Sequence, residues 1–137
     1  MGSGLTTSEL HRLDRACADL YRTFGSRTFL VGTAYDKASF RDVDVRTILA
    51  DDEFDAIFGT RPKLWGLFCS AVAVQLSAAT GLRIDYQVQR QTEANEKHTG
   101  PRNPLGQLFG KTAGREYAGL GDATRFTDPQ DPEKETA

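Results

Sequence analysis

Leu10, Leu13, Cys17, Leu20 and Phe24 recur at steps of three and four residues, with Arg12, Arg15, Asp19 and Arg22 between them. That period gathers the apolar set on one stripe and predicts a helix from about Thr7 to Phe24. Thr6 and Glu9 stand at capping-box spacing before it, and Gly25-Ser26 ends it. Thr28 to Val31 is a nearly continuous apolar run, the pattern of a central strand buried on both faces, and it delivers Gly32-Thr33. From Phe40 to Leu49 the period changes to two. Phe40, Asp42, Asp44, Arg46 and Ile48 fall on one face of this second strand, and Arg41, Val43, Val45 and Thr47 on the other.

Asp51-Asp52-Glu53-Phe54-Asp55 then opens a short helix that ends near Gly59, and the acids suit its positive N-terminus without any further role. Arg61-Pro62 starts a longer helix with Gly81 as its C-cap and Leu64, Phe68, Val72, Leu76 and Ala79 inward. Its apolar character runs nearly all round, so it is expected to pack on the sheet. Alternation returns in Leu82 to Arg90, with Leu82, Ile84, Tyr86 and Val88 on a dry face and Arg83, Asp85, Gln87 and Gln89 on a polar one. Thr92 to Lys97 reads as a further short helix. Gly100 to Gly106 reads as a turn-rich loop, and the stretch from Asp122 to Ala137 is polar, proline-containing and expected to be disordered.

The order helix, strand, strand, helix, strand predicts an α+β (α/β-like) fold, a small mixed sheet with helices packed on it. The short link after Gly32 makes the first two strands antiparallel neighbours, and the long helix acts as a crossover that lays the third strand beside the second. That pairing brings Asp85 near Asp42 and Asp44. One domain over residues 5–100 is expected, followed by a Gly/Pro-rich loop or lid at 101–121 and a tail at 122–137.

With 137 residues and 39% apolar content, the chain can build one core. A net charge of −2 provides no basic field, which argues against a surface that embraces long duplex nucleic acid. Cys17 and Cys69 fall in apolar helical patterns and read as reduced core thiols. The longest apolar run, Leu64 to Leu76, is about 13 residues, short of the roughly 18–20 that span a bilayer, and no signal-peptide pattern opens the chain. A soluble, cytoplasmic protein without a membrane segment is expected.

Asp42, Asp44 and Asp85, presented by strands beside a Gly-hydroxyl turn, are what a site needs to hold divalent metal against a triphosphate. Gly32-Thr33, eight intervening residues, Asp42-Val43-Asp44 and later Ile84-Asp85-Tyr86 together resemble the pattern of the DNA polymerase β-type nucleotidyltransferase superfamily, in its minimal single-domain form. Thr33 stands where that family usually has Ser or Gly. The resemblance implies a nucleotidyltransferase-like core over about Phe24 to Arg90. It further implies that Asp42, Asp44 and Asp85 are catalytic and ligate two Mg²⁺ ions, and that Gly32 and Thr33 meet the triphosphate. Arg46, on the acidic face, is a candidate phosphate contact or, the reading favoured, a cation that offsets the acids.

The function so implied is transfer of a nucleoside monophosphate from an NTP, ATP among the candidates, to a hydroxyl on an unidentified acceptor: a protein, an RNA end or a small molecule. The acceptor site must then come from the segment after Arg90, from a second copy in a homodimer, or from a partner protein. The alternative is a catalytically inactive binding or regulatory protein on the same fold, of the kind found in toxin–antitoxin pairs or phage genomes. A metal-dependent nuclease is a lesser reading, since no lysine or basic groove accompanies the acids. Hydrolase elbows, Walker loops and Rossmann glycine sets are missing from the sequence.

Overall fold

In the computed structural model, which describes residues 4–32, 42–97 and 99–108, an N-terminal pair of helices precedes a four-stranded mixed sheet. α1 spans Thr7–Ala16 and α2 Ala18–Phe24. The capping box is present, with the Glu9 amide donating to Thr6 Oγ1 at 3.0 Å and the Thr6 amide donating to Glu9 Oε1 at 2.9 Å. The single predicted helix is broken at Cys17. The later chain packs against this break: the Gly106 amide donates to Asp14 Oδ1 at 2.6 Å, and a Cβ on Gly106 would lie 2.5 Å from the Cys17 carbonyl oxygen. Leu13, Cys17, Leu20 and Phe24 still face the core, so the stripe survives the break.

β1 (Thr28–Val31) pairs antiparallel with β2 (Val43–Leu49), and β2 pairs parallel with β3 (Ile84–Arg90). Both neighbour relations and the mixed sheet agree with the sequence pattern. α3 (Asp51–Phe58) and α4 (Pro62–Thr80) make the crossover, α5 (Gln91–Lys97) follows β3, and β4 (Asn103–Pro104) adds an edge strand on β1, giving the order β3-β2-β1-β4. β4 lies in the stretch read as a loop. Two residues carry no visible alternation, and Pro104 at an edge needs no ladder donor. β3 begins at Ile84 because Gly81 takes a left-handed C-cap (φ 77°) and the Leu82 amide donates to Thr80 Oγ1, so the first two predicted strand residues complete the helix cap. Phe40, Arg41, His98 and the segment 109–137, which holds the rest of the predicted 101–121 lid and the predicted tail, lie outside the described residues.

One sheet face is dry. Leu30, Val43, Val45, Leu49, Tyr86 and Val88 are buried there, with α1, α2 and α4 supplying Leu13, Cys17, Phe24, Cys69 and Leu76. Phe68 of α4 stands edge-on to Phe24 and Tyr86, and Trp65 donates its indole N–H to the Val88 carbonyl at 2.8 Å. The inward stripe of α4 therefore runs through Trp65, Phe68, Cys69, Val72, Ala73 and Leu76, which keeps Phe68, Val72 and Leu76 of the predicted set. Leu64 and Ala79 point outward. The acids of α3 are spent on structure: Asp55 takes a bidentate pair from Arg90, Glu53 takes Arg27 at 2.7 Å, and Asp51 accepts the Thr92 amide at 3.0 Å. The bonds from Thr92 and Arg90 hold the Asp51 and Asp55 carboxyl groups below their ordinary pKa.

Inside the dry core, three hydroxyls form a chain. Tyr86 donates to Thr47 Oγ1 at 2.7 Å, and Thr47 Oγ1 lies 2.8 Å from Thr28 Oγ1. Burial raises the Tyr86 phenol well above its usual pKa, so it stays a donor. Thr47→Val keeps the shape and strands two partners, so a loss of about 1–3 kcal/mol is expected in urea unfolding. Tyr86→Phe in the same chain should recover part of it, because one of the stranded groups is then gone.

Candidate functional site

The opposite sheet face carries the predicted chemistry. In a strand, alternate side chains leave opposite faces, so Asp44 and Arg46 point away from Val43, Val45 and Thr47. Register then does the rest: Asp44 stands directly opposite Asp85 on β3 and opposite Val31 on β1. Adjacent strands lie about 4.8 Å apart, which brings the two carboxylates within reach of one shared cation.

Gly32 closes β1 with φ of 77°, in the left-handed region. A Cβ there would sit 2.4 Å from Asp44 Oδ2. The absent side chain is thus the space the Asp44 carboxylate uses, and it leaves backbone beside that carboxylate for close approach of a ligand. Thr33 lies outside the described residues.

Arg46 is buried, 7% exposed, and spans the acid pair. Its Nη1 donates to the Asp85 carbonyl at 2.6 Å and to the Val45 carbonyl at 3.0 Å. Its Nη2 lies 3.3 Å from Asp85 Oδ2 and 3.9 Å from Asp44 Oδ1. This agrees with the reading of Arg46 as the cation that offsets the acids. Its Nε is buried with no hydrogen-bond partner among the described residues, a donor that a water or an anionic ligand oxygen would satisfy.

Asp42 lies one residue before β2, exposed, and pairs with Arg83 at 3.3 Å. That surface pair is worth about 0–1 kcal/mol, so little holds the carboxylate away from its neighbours. Among the described residues no set of three His, Cys, Asp or Glu side chains is arranged to hold a metal ion. The structure therefore brings Asp44, Asp85, Gly32 and Arg46 together and leaves Asp42 at the rim. Asp44 and Asp85 suit Mg²⁺, being paired oxygen donors beside a cradle that a Cβ would fill; Asp42 would join them by turning from Arg83.

Neither cysteine belongs to the site. Burial raises both thiols, so they remain protonated. Sequence reasoning did not foresee a cleft of about 280 Å³ at the other end of the strands, lined by Ser26, Arg27, Phe29, Ile48, Gln91 and Arg102 among others. Four residues of β2, about 13 Å, separate Asp44 from Ile48. Residues from four separate segments meet there, and no local motif marks such a place.

No known protein family, curated protein or solved structure matches this chain.

Gly32→Ala should cost about 1–3 kcal/mol through its positive φ and the collision with Asp44. Adding Asp44→Ala removes the collision and leaves the backbone strain, so the double variant should be more stable than the sum of the two single losses. Chemical denaturation of all three variants checks this, and strict additivity would show that the Gly32–Asp44 contact carries no energy.

Proposed function

We propose that this chain is a Mg²⁺-dependent nucleotidyltransferase that moves a nucleoside monophosphate from an NTP to a hydroxyl on an acceptor. In that reaction a bond forms between the acceptor oxygen and the α-phosphorus, the bond to the bridging β-phosphate oxygen breaks, pyrophosphate leaves, and the hydroxyl proton passes to solvent. The observation that supports this most is the meeting of three chain-distant features on one face: the Gly32 turn, Asp44 against it, and Asp85 in matched register on the next strand.

Asp42 and Asp44 are the residues to anchor the ion on the phosphates, and Asp85 the one nearest the acceptor. Bound Mg²⁺ would supply charge neutralisation and make the acceptor hydroxyl a better nucleophile. Gly32 offers its backbone to the phosphates, and Arg46 fixes the Asp85 strand and tempers repulsion between the acids.

A noncatalytic binding protein on the same fold is the second reading. Arg46 favours it, because a guanidinium already balances the Asp44–Asp85 pair without any metal.

Calorimetric titration with ATP, GTP, CTP and UTP separates the two. The nucleotidyltransferase reading expects Mg²⁺-dependent binding of at least one triphosphate, weakened about tenfold or more in folded Asp42→Asn/Asp44→Asn. Binding by none of the four, or binding that the double variant retains, would contradict it.

A further inference from the structure

The cleft at Ile48 lies on the same sheet face as the acids and is built of different groups. The Ile48 amide donates to the Arg27 carbonyl at 2.9 Å, which carries the pairing of β1 with β2 one step past Thr28 and Thr47. Alternation then sends Arg27, Phe29 and Ile48 out on the face that carries Asp44 and Arg46, away from the dry core. Part of the lining is apolar, from Phe29, Ile48 and Ala50. The rest is cationic or neutral polar: Arg27, Arg102 just before β4, the Ser26 hydroxyl and the Gln91 side chain at the start of α5. Among the described residues no Asp or Glu lines it.

Both guanidinium groups are held by residues outside the lining. Glu53 takes Arg27 Nη1 at 2.7 Å, and Nε and Nη2 of Arg27 have no hydrogen-bond partner among the described residues. The Ala94 carbonyl and Asn95 Oδ1 take Arg102 Nη2 at 3.3 and 3.0 Å. A donor fork already held in place loses less freedom when a ligand arrives.

We propose that this cleft binds a small organic carboxylate with a flat apolar body. The carboxylate meets Arg27 and Arg102, because a guanidinium presents paired donors in the plane of two carboxylate oxygens. The apolar body lies against the Phe29 ring and Ile48. Glu53 already offsets Arg27, so a singly charged carboxylate is closer to charge balance there than a phosphate dianion. The volume, about 280 Å³, falls just under the roughly 300 Å³ at which ligand pockets usually begin, which limits the occupant to a small molecule. The site lies about 13 Å along β2 from Asp44 and calls for neither metal nor triphosphate, so it does not rest on the nucleotidyltransferase reading.

Amide chemical-shift titration of the full chain with benzoate, without Mg²⁺ or nucleotide, tests this. Saturable shifts centred on Phe29, Ile48 and Gln91 are expected. Benzyl alcohol, with the same ring and no charge, and inorganic phosphate, with charge and no ring, should each bind about tenfold or more weaker than benzoate. Arg27→Gln and Arg102→Gln, each checked by its thermal melt, should weaken benzoate by a similar factor, while the comparison of ligands on the unaltered chain needs no variant. No saturable shift with benzoate, or shifts centred on Arg46 and Asp85, would overturn the proposal by removing the site or placing the anion at the acids. Benzyl alcohol or phosphate bound as tightly as benzoate overturns it too, by showing that the guanidinium groups or the apolar part contribute nothing.

Discussion

Val45 of β2 and Tyr86 of β3 stand opposite one another in the dry core, and the meeting of Asp44 with Asp85 on the other face depends on that register. A slip of one residue in either strand would turn Val43, Val45 and Leu49, or Ile84, Tyr86 and Val88, out of the core. Each such side chain contributes about 1.5–3 kcal/mol by burial, so a slip that exposes three of them costs an amount comparable to a protein's whole net stability. The same pairing sets Asp44 beside Asp85. Two acids brought together on one face are therefore a by-product of packing on the other.

Holding carboxylates at that distance requires a counterweight. Arg46 provides it from inside the same face, bonded through Nη1 to two carbonyls and through Nη2 to the Asp85 carboxylate. Its position two residues after Asp44 guarantees the shared face, and its burial keeps the guanidinium fixed. Gly32 completes the arrangement by leaving room for the Asp44 side chain. The result is a site with both signs of charge, consistent with a ligand that brings its own cation and its own phosphates.

Strand identities, neighbours and the shared face of Asp44, Arg46 and Asp85 were legible because period-two burial and short or helical connections have few alternatives. The break at Cys17 was not, since it depends on Gly106 packing against it from the far end of the chain, and long-range contacts leave no mark on local periodicity. β4 was missed for the same reason, its pairing with β1 being a tertiary event. In α4 Phe68, Val72 and Leu76 were placed inward correctly and the two ends, Leu64 and Ala79, were not, because the helix is apolar on nearly every side and only Lys63, in its first turn, carries a charge to mark the wet face. The offset of Asp42 toward Arg83 concerns two exposed side chains whose preference is a matter of tenths of a kcal/mol, below what a pattern can register.

The central claim is that the Gly32–Asp44–Asp85 face is where a metal-bound triphosphate sits. Paramagnetic broadening of amide signals by Mn²⁺ in the presence of ATP reads that location directly. The account predicts broadening centred on Gly32, Asp44 and Asp85 that fades toward Ile48 and is displaced by excess Mg²⁺. Broadening centred on the α3 acids Asp51 and Asp55, or none at any position, would contradict it.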